Sequence, residues 1–222
     1  MIITPVKVKI CCIRSPEEAQ LALSFGAAAV GLVSEMPVGP GELPDSTIRE
    51  IVESLPESTG TFLLTAVTDP DHLIEKARTC AINTLQLWDL LPPAGYARLR
   101  AELPGVSIVQ AIHVIDRTAV EAALSAARLA DALVLDSSNP LVPFRWESQA
   151  GQTHDWDISR EIVETVDCPV LLAGGLSSEN VEFAVRTVQP FGVDVCTGVR
   201  SDDVLDRRKV VSFFEALRRI SP

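Results

Sequence analysis

The chain repeats one pattern eight times: a short apolar run, a turn, then a helical segment. Strand-type runs occupy residues 6–14, 28–34, 60–67, 82–87, 106–114, 132–136, 169–173 and 192–196. A helix-type segment follows each, beginning near Glu17, Asp45, Asp69, Pro93, Arg117, Ile158, Ser177 and Val204. Near-continuous apolar runs such as AAVGLVS suit strands buried on both faces, and strict alternation with helices predicts a parallel sheet. Dividing 222 residues by eight gives about 28 residues per unit. Eight such units predict a closed (β/α)8 TIM barrel, which typically takes ~250 residues. A doubly wound open sheet is the competing arrangement. No linker or composition break divides the chain, so residues 1–222 are expected to form a single barrel domain.

The first run, VKVKICCIR, has two faces. Side chains on a strand alternate, so Val8, Ile10 and Cys12 are expected under the helices, with Lys7, Lys9, Cys11 and Ile13 on the enclosed side. Ser15, Pro16 and Glu18 open the first helix as a capping box with proline at its first position.

Charge narrows the partners. A formal net charge of −11 argues against nucleic acid and against an anionic membrane surface. No apolar run approaches ~20 residues, so no membrane span is expected. Lys7 and Lys9 interrupt the N-terminal apolar stretch, which therefore lacks a signal-peptide pattern. Five cysteines, an odd number without metal spacing, read as free thiols in a reducing cytoplasm. No metal or cofactor is expected.

In a (β/α)8 barrel the site lies at the carboxyl ends of the strands. The polar residues there are Cys11, Glu35, Gln86, His113, Asp136 and Asp194. A strand cysteine is more often a small core hydrophobe. A carboxylate ending the ALVLD run needs a partner or water, and at a barrel mouth it points to function. Two glycine turns, Gly174-Gly175 before a Ser-led helix and Thr197-Gly198 after the last strand, fit a phosphate site. Loops after strands seven and eight hold phosphates in such barrels, through backbone N–H groups and a helix dipole. Residues 137–157 form a connection of a length that is usually functional or disordered.

These residues resemble a known family along the whole chain. KICCI is similar to the KICGI of the phosphoribosylanthranilate isomerases, QLWD to QLHG and LVLDSS to the LLDS/T run. GQTHDW is similar to the end of the GG-T/S-G-x-x-F-D-W segment, LAGGLSSENV to the L-A/S-GGL-x-x-x-NV turn, and GVDVCTGV to VDVSSGVE. The resemblance implies an aldose–ketose isomerase, an intramolecular oxidoreductase of tryptophan biosynthesis, acting by Amadori rearrangement on an N-(5-phosphoribosyl) amine. It implies Cys11 as general base and Asp136 as general acid. It implies substrate contacts from Lys9, Gln86, Asp155 and Asp194, with phosphate held by Gly174, Gly175, Thr197 and Gly198. A free thiol has a pKa of ~8.5, and Lys9 on the same strand face is expected to depress that of Cys11.

The departures gather at the aglycone end. The loop after strand two, where the family holds the anthranilate carboxylate with an arginine, reads EMPVGPGEL and has no arginine or lysine. Trp88 replaces the histidine of QLHG, Cys12 the glycine after the base, and Arg200 the glutamate of SSGVE; Gln110 stands where strand five often has lysine. Arg14, Arg145 and Arg200 are the arginines in loops that fit a relocated clamp, with Arg145 preferred in the long loop. The expected partner is a small phosphorylated sugar, handled by a monomer or homodimer, with weak turnover if the amine is anthranilate. An isomerase of another phosphorylated sugar and a non-catalytic phosphosugar-binding barrel are the alternatives.

Overall fold

Apolar strands need helices outside and packed side chains inside, and a closed ring supplies both without leaving an edge. In the computed structural model, which describes residues 6–36, 42–137 and 153–220, eight parallel strands form that ring in sequence order. They are β1 (Lys7–Ile10), β2 (Ala29–Val33), β3 (Gly60–Thr65), β4 (Thr84–Leu87), β5 (Ser107–His113), β6 (Ala132–Asp136), β7 (Val170–Leu172) and β8 (Gly192–Val195). The described helices are α1 (Pro16–Ser24), α2 (Asp45–Glu53), α3 (Pro70–Cys80), α4 (Pro93–Glu102), α5 (Thr118–Ala126), α6 (Trp156–Thr165), α7 (Val181–Val188) and α8 (Arg207–Arg218). The ring closes where β1 pairs with β8, setting Lys9 opposite Asp194.

Alternation divides the strand residues into two cores. Val8, Ile10, Leu32, Leu63, Leu85, Leu87, Leu133, Leu135, Leu172 and Val193 face outward and pack under the helices. Phe62, Val109, Ala132, Val134, Leu171 and Ala173 fill the interior. A third cluster of Cys11, Cys12, Val33 and Leu64, with Met36, Trp88 and Cys196 against it, lines the mouth. Gln110 belongs to the outer layer, where Tyr96 donates to its Oε1 at 2.6 Å. Its replacement of a lysine therefore leaves the mouth unchanged.

Two sequence expectations need correction. The first strand ends at Ile10. Cys11 N–H still bonds the Val195 carbonyl at 2.8 Å, but Cys12 has φ +62, in the left-handed region. That residue breaks the alternation, so Cys12 turns into the mouth cluster and Ile13 turns out beneath the helices, the reverse of the expected faces. Also, the last helix does not start at Val204. After a 3₁₀ turn (Thr197–Val199), a hairpin of β9 (Arg200–Ser201) and β10 (Val204–Leu205) comes first. Asp202 and Asp203, at φ +48 and +60, make its tight turn, the conformation two-residue hairpins prefer. Asp206 then caps α8, accepting from the N–H groups of Arg208 and Lys209.

The hairpin explains Arg200. Its Nη2 donates to both oxygens of Glu18, at 2.9 and 3.1 Å, and to the Asp203 carbonyl at 2.7 Å. Glu18 also accepts from Leu205 N–H and Arg14 N–H. The first half of the expected capping box forms, with Glu18 N–H on Ser15 Oγ, but the carboxylate serves the hairpin and Arg14 instead. Arg200 is 4% exposed and Glu18 13%. Truncating one partner of a buried ion pair strands the other charge, at a cost of about 3–5 kcal/mol. Glu18→Ala is expected to lower the urea unfolding midpoint accordingly, and a loss below about 1 kcal/mol would show that the pair does not anchor the hairpin.

Candidate active site

The enclosed face of β1 meets β8 in one buried ion pair. Lys9 Nζ lies 2.6 Å from Asp194 Oδ2, and the two side chains are 1% and 7% exposed. Lys9 also sits 5.3 Å from the Phe62 ring centroid. Burial acts to lower the lysine's pKa, but attraction to Asp194 and Cys11 more than offsets it, so Lys9 stays charged. Burial pushes the Asp194 carboxyl up against the pull of Lys9, with Asp136 adding to the rise.

Cys11 comes next on the same face. Gly31 of β2 makes room for it: a Cβ there would meet Cys11 Sγ at 2.6 Å and Lys9 Nζ at 2.9 Å. The expected depression of the thiol does not occur. A hydrogen bond with Cys12 and burial raise Cys11 well above the usual thiol range, outweighing Lys9. Cys12, expected under the helices, lies here with its Sγ 2.9 Å from that of Cys196.

On the far side, β5 and β6 bring His113 opposite Asp136. Trp88 packs edge-to-face on His113, with ring centroids 4.5 Å apart. Gln86 faces inward from β4. Gln86 Oε1 and Asp194 Oδ1 are buried acceptors without a hydrogen-bond partner among the described residues. Such an orphan costs about 1–3 kcal/mol, which a donor on a ligand would offset.

The two glycine turns meet at the mouth. Gly174 and Gly175 have φ +83 and +63. A Cβ on Gly174 would strike Ser137, and one on Gly198 would strike the Leu176 carbonyl. Asn180 locks the first turn by accepting from Ser177 N–H at 2.8 Å and donating to the Gly175 carbonyl at 2.9 Å. The helix proper begins at Val181 rather than at Ser177, whose Oγ caps the preceding turn through Glu179 N–H.

Other candidates go elsewhere. Glu35 turns outward to Lys76 at 2.7 Å and His72 at 3.2 Å. Asp155, expected to contact substrate, caps α6 by accepting from Asp157 N–H at 2.9 Å and is exposed. Arg200 is committed to Glu18 and cannot serve as a clamp. Arg145 lies outside the described residues. Sequence reasoning does not single out His154, because in its fragment GQTHDW the eye goes to Asp155 and Trp156. Its Nε2 lies 2.6 Å from Ser159 Oγ. Burial lowers its pKa, although Asp136 and Asp155 pull the other way.

A closed (β/α)8 barrel with a thiol, carboxylates and paired glycine turns at its carboxyl mouth defines an enzyme of the proton-transfer class. The chain belongs to the N-(5'-phosphoribosyl)anthranilate (PRA) isomerase family, whose model matches residues 8–216. It is 36% identical to N-(5'-phosphoribosyl)anthranilate isomerase of Haloferax volcanii, over 96% of this chain and 93% of that protein. It is 32% identical to the same-named protein of Methanocella arvoryzae, over 96% and 98%. A solved PRA isomerase in complex with reduced 1-(o-carboxyphenylamino)-1-deoxyribulose 5-phosphate superposes with TM-score 0.78, at 25% identity over 96% of this chain and 99% of that one.

The raised thiol gives a pH prediction. A raised pKa means less thiolate at neutral pH than a free cysteine has, so alkylation of Cys11 by iodoacetamide should be slow at pH 7 and climb through pH 9 and beyond. Peptide-resolved mass spectrometry reads the rate. A midpoint at or below pH 8 would show that Lys9 governs the thiol after all.

Proposed function

We propose that the protein is a phosphoribosylanthranilate isomerase, converting N-(5'-phosphoribosyl)anthranilate to 1-(o-carboxyphenylamino)-1-deoxyribulose 5-phosphate. The observation that carries this reading is the presence of both Cys11 and Asp136 at the carboxyl mouth of a barrel that belongs to the family from end to end. Asp136 protonates the ring oxygen, which opens the furanose and leaves an iminium at C1. Cys11 then removes the C2 proton, giving an enolamine that tautomerises to the ketose. Protons leave and return in equal number, so acid and base suffice for the balance.

The remaining residues bind. Gln86 Oε1 and Asp194 Oδ1 accept from sugar hydroxyls, and Lys9 holds Asp194 in place. Backbone N–H groups of the Gly174-Gly175 and Thr197-Gly198 turns take the phosphate. Arg145, in the long connection, takes the carboxylate of the amine. Free cysteines suit a cytoplasmic enzyme, and among the described residues no helix is long and apolar enough to cross a membrane.

A second reading, a different N-(5-phosphoribosyl) amine, is favoured by one observation. Residues 35–44 hold no arginine or lysine, and Arg200 is locked to Glu18. An unpaired carboxylate in a closed site is costly, so a rebuilt aglycone end with Trp88 as its wall suits another amine. Steady-state kinetics on phosphoribosylanthranilate decide between them. A kcat/KM at or above about 10⁴ M⁻¹s⁻¹ supports anthranilate, and its loss in Arg145→Ala then locates the clamp. Turnover far below that figure favours the other amine.

Within either reading, Cys11→Ser and Asp136→Asn should each lower kcat by about two to four orders of magnitude, the usual worth of a proton-transfer group, with modest effect on KM. Equal turnover in either variant would remove that residue from the chemistry. Because Cys11 is raised in the free protein, kcat/KM should rise with pH from neutral into the alkaline range as the base ionises. A flat profile there would contradict a thiol base.

A further inference from the structure

The mouth holds three thiols, and the proposed chemistry uses one. Cys12 follows Cys11 in the loop after β1, and Cys196 follows β8. Although 184 positions apart in sequence, their Sγ atoms are 2.9 Å apart. A disulfide needs about 2.0 Å, so the two sulfurs have roughly 0.9 Å to close. The left-handed φ of +62 at Cys12 is what brings its side chain across the β1–β8 seam. A residue with a side chain rarely takes that conformation. Cys12 is buried, whereas Cys196 is partly exposed. An oxidant entering from solvent therefore meets Cys196 first.

We propose that Cys12 and Cys196 form a peroxide-reactive thiol pair that closes into a reversible disulfide across the seam. The Cys196 thiolate attacks one oxygen of the hydroperoxide, the O–O bond breaks, and the sulfur becomes a sulfenic acid as hydroxide leaves and is protonated. The Cys12 sulfur then attacks the Cys196 sulfur. The S–O bond breaks, a second water leaves and the S–S bond forms. In sum, two thiols and hydrogen peroxide give one disulfide and two waters. A dithiol reverses it by exchange, as befits the transient, redox-sensing disulfides found in reducing compartments.

The bond would tie the loop that carries Cys11 to the loop that carries Thr197 and Gly198. Oxidation therefore arrests the proposed isomerase, and this consequence alone rests on that reading. The cross-link itself does not.

The test starts from the reduced full chain, treated with one equivalent of hydrogen peroxide, blocked with an alkylating agent and digested with trypsin. Cleavage places Cys11 and Cys12 together in residues 10–14 and Cys196 in residues 187–200. These two peptides should appear joined, two hydrogens lighter than their sum, and should separate with dithiothreitol. Cys11→Ser should keep the link, whereas Cys12→Ser and Cys196→Ser should each abolish it. Activity on phosphoribosylanthranilate should fall in proportion to the linked fraction and return with dithiothreitol. That reversible loss should vanish in Cys196→Ser. A link that survives Cys12→Ser, a Cys11–Cys12 bond within residues 10–14, or oxidised thiols with no link would each overturn the proposal. Mass reads the link directly, so the cross-link is tested equally well in a protein inactive on phosphoribosylanthranilate.

Discussion

The ion pair between Lys9 and Asp194 organises the rest of this barrel. It lies where the first and last strands meet, so the seam that closes the ring is also the floor of the site. Two charges taken out of water stabilise a fold only weakly against an apolar pair of the same size. Their value here is positional. Removing either would leave an uncompensated ion inside the ring, so the register of β1 against β8 is strongly specified. Everything above follows from that register: Cys11 two residues on from Lys9, Cys196 two residues on from Asp194, and Gly31 on β2 kept bare so that ammonium and thiol fit.

The thiol is quiet because the adjacent Cys12 and burial raise it, and the opposing attraction of Lys9, already paired with Asp194, is smaller. Reading the strand face alone reveals that Lys9 and Cys11 share a side, but not that Asp194, 185 positions away, has claimed the lysine first.

Legibility of the chain follows the range of the forces. Eight units, their order and most of their bounds are readable, because apolar periodicity and caps are local. The Gly174-Gly175 turn is readable for the same reason. The reading fails where one backbone residue departs from the regular period. At Cys12 a single left-handed φ exchanges the faces of Cys12 and Ile13. At Asp202-Asp203 two such residues make a hairpin where an amphipathic pattern promises helix. It fails again where a side chain has two plausible partners. Glu35 is a carboxylate at the right end of the barrel, yet it binds Lys76. Arg200 stands in a mouth loop but is claimed by Glu18, whose role looks complete as a cap.

The distribution of charge sets what the mouth can recognise and by what means. The chain carries a net charge of −11, and Asp136 and Asp194 stand at the site itself. Among the described residues, Lys9 is the buried cation within the ring of strands, and it is already paired. A phosphorylated substrate therefore finds no free ammonium to meet it there. On the proposed reading, backbone N–H groups resolve the conflict, because they carry partial positive charge without a side chain and without a desolvated counter-ion. Glycine stands at 174 and 175, where positive φ turns the backbone, and at 198, where a side chain would strike the neighbouring loop. At the other end, Trp88, Met36, Val33 and Leu64 offer apolar walls suited to a flat aglycone ring. On the proposed reading, the site separates its tasks by chemistry: main chain for the phosphate, buried acceptors for the sugar, apolar surface for the ring. Only a carboxylate on that ring would require a cation from outside this set.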